Sequence, residues 1–107
     1  MPAKKVKITV VRKLDLSKIH PHEDMGNEDS LECICPLFKI GQEFVVGVDG
    51  VPKGFCPGAF ADIYRYVSGL RAGADYPWMK APGTAVACCT DGLRPVVFRI
   101  ERLAEDI

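Results

Sequence analysis

Five cysteines are the residues of this chain best suited to chemistry. Cys35 and Cys56 each precede a proline, in ICPLF and FCPGAF, and Cys88 and Cys89 are adjacent in AVACCTDG. Proline suits the first position of a helix, which leaves the preceding cysteine at the N-cap. There a thiol faces free backbone N–H groups and the positive end of the helix dipole, which favours the thiolate form. The inference is stronger for Cys56, because a full helix is predicted to follow it.

Thiolates from separate segments can jointly hold a soft metal ion. The four candidate ligands are Cys35, Cys56, Cys88 and Cys89. Four thiolates suit tetrahedral zinc, a single iron or an iron–sulfur cluster, and Cys33 can join them if the chain around it is extended. Adjacent strand residues point to opposite faces, so Cys88 and Cys89 both reach one site only where the strand has ended or bulged. The chain has no C-x-x-C pair, so neither a zinc ribbon nor a thioredoxin motif is supported.

Two other interpretations of the cysteines stay open. Free cysteine is often buried simply as a small core residue, and the protein is then a metal-free binding or homo-oligomeric assembly module. In the second alternative, Cys56 is the nucleophile of a thiol redox protein, and Cys88 or Cys89 resolves the disulfide. No motif names a reaction, so whether the protein is an enzyme is left open.

A small anionic ligand is the candidate occupant of a pocket in the metal-free alternative. Trp78 lies in an aromatic loop close in sequence to the cysteine strand, and Asp91 and Arg94 flank the turn of a predicted hairpin. Arg94 either pairs with Asp91 or holds an anion or a carboxylate near the thiols. Asp62 lies in the N-terminal half of the predicted helix, where its negative charge is expected to interact favourably with the helix dipole.

The overall composition excludes several classes of protein. Lys plus Arg and Asp plus Glu both number 14, so the chain lacks the basic surplus of a duplex nucleic-acid binder. No apolar run is long enough to span a membrane, and MPAKKVKITVV has no signal-peptide features, so a cytoplasmic protein with reduced thiols is expected. A basic cluster near the N-terminus is expected to be a solvated strand face. It comprises Lys4, Lys5, Lys7, Arg12 and Lys13.

The hydrophobic pattern predicts one small α+β domain over residues 1–107. Alternation predicts strands over Lys5 to Arg12, Glu43 to Val48, Thr84 to Thr90 and Pro95 to Arg102. A helix is predicted from Pro57 to Ala72, with its apolar positions at i, i+3, i+4 and i+7. Leu14 to Ile19 favours a helical turn, and a mobile polar loop is expected over 20–32. These elements predict a mainly antiparallel sheet of about four strands with one principal helix on one face, whose other face is exposed or pairs with another subunit.

Three segments resemble a family of small, uncharacterised prokaryotic proteins that is common in anaerobes. They are CPLFKIGQEFVV (35–46), GFCPGAFADIYRYVSGLRAG (54–73) and PWMKAPGTAVACCTDGLRPVVFRIER (77–102). The likeness covers most of the chain, and the CCTDGLRPV block is its most specific part. It places Cys35, Cys56, Cys88 and Cys89 within shared motifs but not Cys33. The resemblance implies no reaction, ligand or partner, only a thiol-based function in anaerobic, low-potential cells.

Overall fold

The computed structural model describes residues 2–16, 35–48 and 50–107. The polar loop expected over 20–32 and Cys33 lie outside the described residues. The elements are β1 (Lys4–Lys13), β2 (Glu43–Val46), α1 (Pro57–Arg71), β3 (Thr84–Cys88) and β4 (Val96–Asp106).

The four strands form one antiparallel sheet in the order β2-β1-β4-β3. The helix α1 packs against β1, β3 and β4. The predicted α+β class, with about four antiparallel strands and one principal helix, is therefore confirmed. The two long strands β1 and β4 lie in the centre because they have the longest alternating segments and bury one face each.

The element boundaries differ from the sequence pattern where the pairing partner ends. β2 stops at Val46, opposite Val6, and β4 continues to Asp106, opposite Lys4. The helical turn expected over Leu14 to Ile19 is wrong for its described part, because these residues continue the sheet pairing. The N–H of Leu14 donates to the Pro95 carbonyl and the N–H of Leu16 to the Leu93 carbonyl, both at 2.9 Å.

A cluster of phenylalanine rings forms one end of the core between the sheet and α1. The Phe55 ring lies 5.0 Å from that of Phe38, 4.9 Å from Phe44 and 5.3 Å from Phe98. Phe60 joins from the first turn of α1, at 6.0 Å from Phe55. Because Phe38 and Phe55 come from irregular segments, this cluster fixes both segments against the sheet.

The helix begins and ends as its flanking residues predict. Pro57 stands at its first position, after Cys56 as N-cap, and Gly73 follows with a φ of 103°. Arg71, in its last turn, donates to the Gly47 carbonyl at 2.9 Å and so ties this end of α1 to the end of β2. Among the described residues, no helix combines the length and the apolarity needed to cross a membrane.

Candidate thiol site

Cys56 lies at the N-cap of α1, as its Cys-Pro sequence predicts. Its backbone is extended, with φ −64° and ψ 120°, and its carbonyl accepts the first helical hydrogen bond from the Phe60 N–H at 3.0 Å. The Sγ lies 3.8 Å from the point where a Cβ on Gly58 would stand, so the sulfur sits over the first helical turn. That turn contains no acidic residue, and the side chain of Cys56 makes no capping hydrogen bond. The half-buried thiol of Cys56 therefore lies at the positive end of the helix dipole, with no acidic side chain in the first turn beside it.

Cys88 and Cys89 lie on opposite faces of the sheet. Cys88 is the last residue of β3, opposite Val97, and its side chain is exposed. Cys89 is the first residue after the strand, and its half-buried side chain packs against the core. Its Sγ accepts a hydrogen bond from the N–H of Val96 at 3.3 Å, while its own N–H donates to the Val96 carbonyl at 3.1 Å. Strand alternation therefore continues through the pair, so Cys88 does not face the same side as Cys89.

Cys35 is held at the same end of the sheet by a lysine. Lys13, the last residue of β1, pairs with Val96. Its Nζ donates to the Cys35 carbonyl at 3.1 Å and to the Phe38 carbonyl at 2.6 Å. The charged ammonium group of Lys13 thus donates to two backbone carbonyls. These hydrogen bonds hold the chain that carries Cys35 beside the start of β4.

Three of the described cysteines pack against the core from separate segments of the chain. Cys35, Cys56 and Cys89 all pack against the core, and each has irregular backbone outside the strands and the helix. We call these three residues the thiol cluster. In the part of the chain that the structure describes, no three His, Cys, Asp or Glu side chains are close enough together to hold a metal ion. The described cysteines are free thiols.

A carboxylate on α1 holds the chain that follows Cys89. Asp62 Oδ2 accepts a hydrogen bond from the Thr90 N–H at 2.7 Å and from the Thr90 hydroxyl at 3.0 Å. This contact joins the second turn of α1 to the residue after Cys89. It links the segment that carries Cys89 to the helix whose N-cap is Cys56.

Asp91 and Arg94 bind each other within the connection between β3 and β4. Asp91 Oδ1 accepts the N–H groups of Leu93 and Arg94 at 2.9 and 3.1 Å, and Arg94 Nε lies 3.3 Å from Asp91 Oδ2. Partial burial raises the pKa of Asp91, but the two backbone hydrogen bonds and the arginine outweigh it, so the pKa lies below its ordinary value. The sequence predicted that Arg94 either pairs with Asp91 or holds an anion. The structure contains the ion pair with Asp91. The side chain of Asp91 is committed to its own turn.

Trp78 lies apart from that ion pair. Its side chain is 67% exposed and stacks on Tyr76, with ring centroids 5.1 Å apart. Tyr76 in turn contacts Tyr66 on α1, at 5.4 Å. Among the described residues, no ring contact or hydrogen bond joins Trp78 to Asp91 or Arg94. The structure thus does not bring these three predicted ligand-binding residues together.

Two residues that the sequence pattern did not connect with the cysteines hold chain segments of the thiol cluster: Lys13 binds the Cys35 carbonyl, and Asp62 binds Thr90, the residue after Cys89. Lys13 belongs to the basic cluster expected to be solvated, yet it is half-buried on the core side. The available signal was its position at the end of an alternating strand, one residue beyond a bulge that reverses its face. Asp62 carried no signal for its link to Thr90, because that contact spans 28 residues of sequence.

Comparison with known proteins adds no assignment. No family model, no curated protein and no solved structure matches this chain. The resemblance of the three sequence segments to a family from anaerobes therefore stays a prediction.

Proposed function

We propose that this protein binds a soft metal ion, zinc or iron, through the thiol cluster of Cys35, Cys56 and Cys89. The observation that carries the proposal is that three free, half-buried thiols from three separate segments pack against the same core. Thiolates are preferred ligands of both metals. Cys88 is left out of the ligand set because it lies exposed on the other face of the sheet.

The thiols must approach one another when the ion binds, since no three ligands are in place among the described residues. All three thiols lie outside the regular elements of the fold. Cys35 lies in an irregular segment, Cys56 is outside the hydrogen-bonded helix, and Cys89 is beyond the end of β3.

The N-terminus of α1 lies at Cys56, one of the three proposed ligands. A bound ion requires deprotonated sulfur, so binding releases protons. The first turn of α1, beside that ligand, contains no acidic residue. The ion would be held by sulfur ligands and by one further ligand that completes a tetrahedron.

The experiment is metal analysis of protein prepared without oxygen, with the four cysteines replaced one at a time. Wild-type protein is expected to hold zinc or iron near one equivalent per chain, and Cys56→Ser and Cys89→Ser to lose most of it. Cys35→Ser is expected to behave in the same way. Cys88→Ser is the matched control, because it removes a neighbouring thiol from the opposite face and should leave the metal content unchanged.

The same set of variants identifies the alternatives. Equal loss of metal in Cys88→Ser and Cys89→Ser would contradict the assignment of the ligands. A wild-type protein without metal that folds normally would overturn the proposal. Rapid and selective alkylation of Cys56 in that protein would then support the thiol redox alternative, since Cys56 lies at the helix N-terminus.

A further inference from the structure

The connection between β3 and β4 contains hydrogen bonds between its own residues, and Thr90 joins it to α1. Within the connection, Asp91 accepts two backbone N–H groups and pairs with Arg94. Cys89 and Val96 close its base with hydrogen bonds in both directions. Among the side-chain hydrogen bonds of the described residues, only those from Thr90 to Asp62 join this connection to α1.

The geometry of that attachment bears directly on Cys89. Thr90 is the next residue in the chain, and both of its donors meet the same carboxylate oxygen, at 2.7 and 3.0 Å. A backbone N–H and a hydroxyl on one acceptor fix both the position and the rotation of the Thr90 peptide. The carbonyl side of that peptide belongs to Cys89, so the orientation of Cys89 is fixed with it. Hydrogen bonds to an ionised acceptor are also stronger than neutral ones.

We infer that Asp62 is the positioning residue of the thiol cluster: by holding Thr90 against α1, it keeps the Cys89 thiol on the core side. The inference deepens the proposed function, since it names the residue on which the geometry of that site depends. It concerns Cys89 alone, because Cys88 precedes the fixed peptide and is held by its strand pairing with Val97.

The test measures the alkylation rates of Cys88 and Cys89 in the metal-free, reduced protein, by digestion and mass spectrometry. Asp62→Ala is expected to speed alkylation of Cys89 by about tenfold or more, since a hydrogen bond to a charged acceptor contributes a factor of that order. Cys88 should react at its wild-type rate. Asp62→Asn keeps an acceptor oxygen and should fall between wild type and Asp62→Ala.

Two substitutions at Thr90 examine the contact from the other side. Thr90→Ser keeps both donors and should behave as wild type. Thr90→Val loses the hydroxyl bond and keeps the backbone bond, so a smaller acceleration at Cys89 is expected. These variants also test the inference if Asp62→Ala does not fold.

Asp75→Ala is the matched control for a loss of stability alone. Asp75 also accepts one backbone N–H, from Gly83 at 2.8 Å, and one side-chain donor, from Arg102 at 2.8 Å, but beyond the other end of α1. It should lower the free energy of unfolding without a selective change at Cys89. Unchanged alkylation of Cys89 in Asp62→Ala, or equal acceleration of Cys88 and Cys89, would overturn the positioning role.

This test and the test of the proposed function fail separately. Alkylation is measured without metal, so a protein that binds no ion overturns the metal site and leaves the positioning of Cys89 to be judged by its reactivity. If the metal site is real, Asp62→Ala should also bind the ion more weakly than Asp75→Ala, measured by competition with a chelator.

Discussion

Arg102 and Asp75 form an ion pair that fastens the C-terminal end of α1 to the sheet. Arg102 Nη2 lies 2.8 Å from Asp75 Oδ1, and Nη1 donates to the carbonyls of Leu70 and Ala74 at 3.2 and 2.8 Å. The same Asp75 oxygen accepts the Gly83 N–H at 2.8 Å, just before β3. One arginine of β4 thus satisfies carbonyls at the helix end, where a positive charge also complements the helix dipole.

This ion pair predicts a pH dependence of stability. The hydrogen bond from Arg102, together with that from the Gly83 N–H, holds the pKa of Asp75 below its ordinary value. Because the folded pKa is the lower one, the contribution is fully present above the ordinary carboxyl pKa of about 3.9 and is lost as pH falls through the folded pKa. Thermal unfolding of wild type and Asp75→Asn should therefore differ at pH 7 and converge toward pH 3. The two curves running parallel across that range would contradict the contribution of Asp75.

Salt provides a second check on the same pair. The carboxylate of Asp75 is exposed to solvent, so the difference between wild type and Asp75→Asn at pH 7 should shrink in 1 M salt. The hydrogen bond from the Gly83 N–H cancels in this difference, because an amide oxygen also accepts it.

Phe55 is expected to be the most sensitive position of the aromatic cluster. Its side chain is buried, and its ring contacts four other phenylalanine rings. Phe55→Ala should lower the free energy of unfolding by about 3–5 kcal/mol, through lost burial and the cavity that remains. Tyr64→Ala is the control, because Tyr64 is half-exposed and should cost less than about 1 kcal/mol. Chemical denaturation measures the free energy of unfolding of both variants. Equal losses would show that the aromatic cluster does not stabilise the core more than an exposed tyrosine does.

Gly69 in the last turn of α1 provides the space that Tyr76 occupies. A Cβ at Gly69 would overlap the Tyr76 hydroxyl, so Gly69→Ala must displace that ring and disturb its stack with Trp78. Trp78 is the single tryptophan of the chain, so fluorescence excited selectively at the tryptophan band reports on this stack. We expect greater quenching of Trp78 by acrylamide in Gly69→Ala.

Gly58→Ala is the control for the change in helix propensity that accompanies a Gly→Ala substitution in α1. A Cβ at Gly58 would meet only Cys56 Sγ, at an ordinary 3.8 Å, so it should raise stability by up to about 1 kcal/mol and leave the fluorescence unchanged. Unchanged quenching in Gly69→Ala would show that Tyr76 is not seated against the helix.

The connection after β3 should depend more on Asp91 than on Arg94. Asp91→Ala removes two backbone hydrogen bonds and the ion pair, whereas Arg94→Ala removes only the ion pair between partly exposed groups. We expect a loss of about 1–2 kcal/mol for Asp91→Ala and of less than about 1 kcal/mol for Arg94→Ala. Denaturant unfolding measures both values. A larger effect for Arg94→Ala would indicate that Arg94 has a role beyond this turn.

Local patterns in the sequence determined the elements of the fold. The alternation from Lys5 to Arg12 and the apolar spacing after Pro57 predict β1 and α1 within two residues of their observed ends. These predictions succeed because strand and helix periodicities are set by the backbone over a few residues. Placement of Cys56 at the N-cap follows in the same way, since a proline at the first helical position fixes the residue before it.

Tertiary structure alone decided which cysteines share a face and what holds them there. Strand alternation allowed Cys88 and Cys89 either to diverge or to converge. The choice depended on the packing at the end of β3, where Cys88 is exposed whereas Cys89 packs against the core and accepts a hydrogen bond from the Val96 N–H. The contacts of Lys13 with Cys35 and of Asp62 with Thr90 join residues 22 and 28 positions apart. Such contacts form only after the sheet and the helix have packed, so no local pattern in the sequence encodes them.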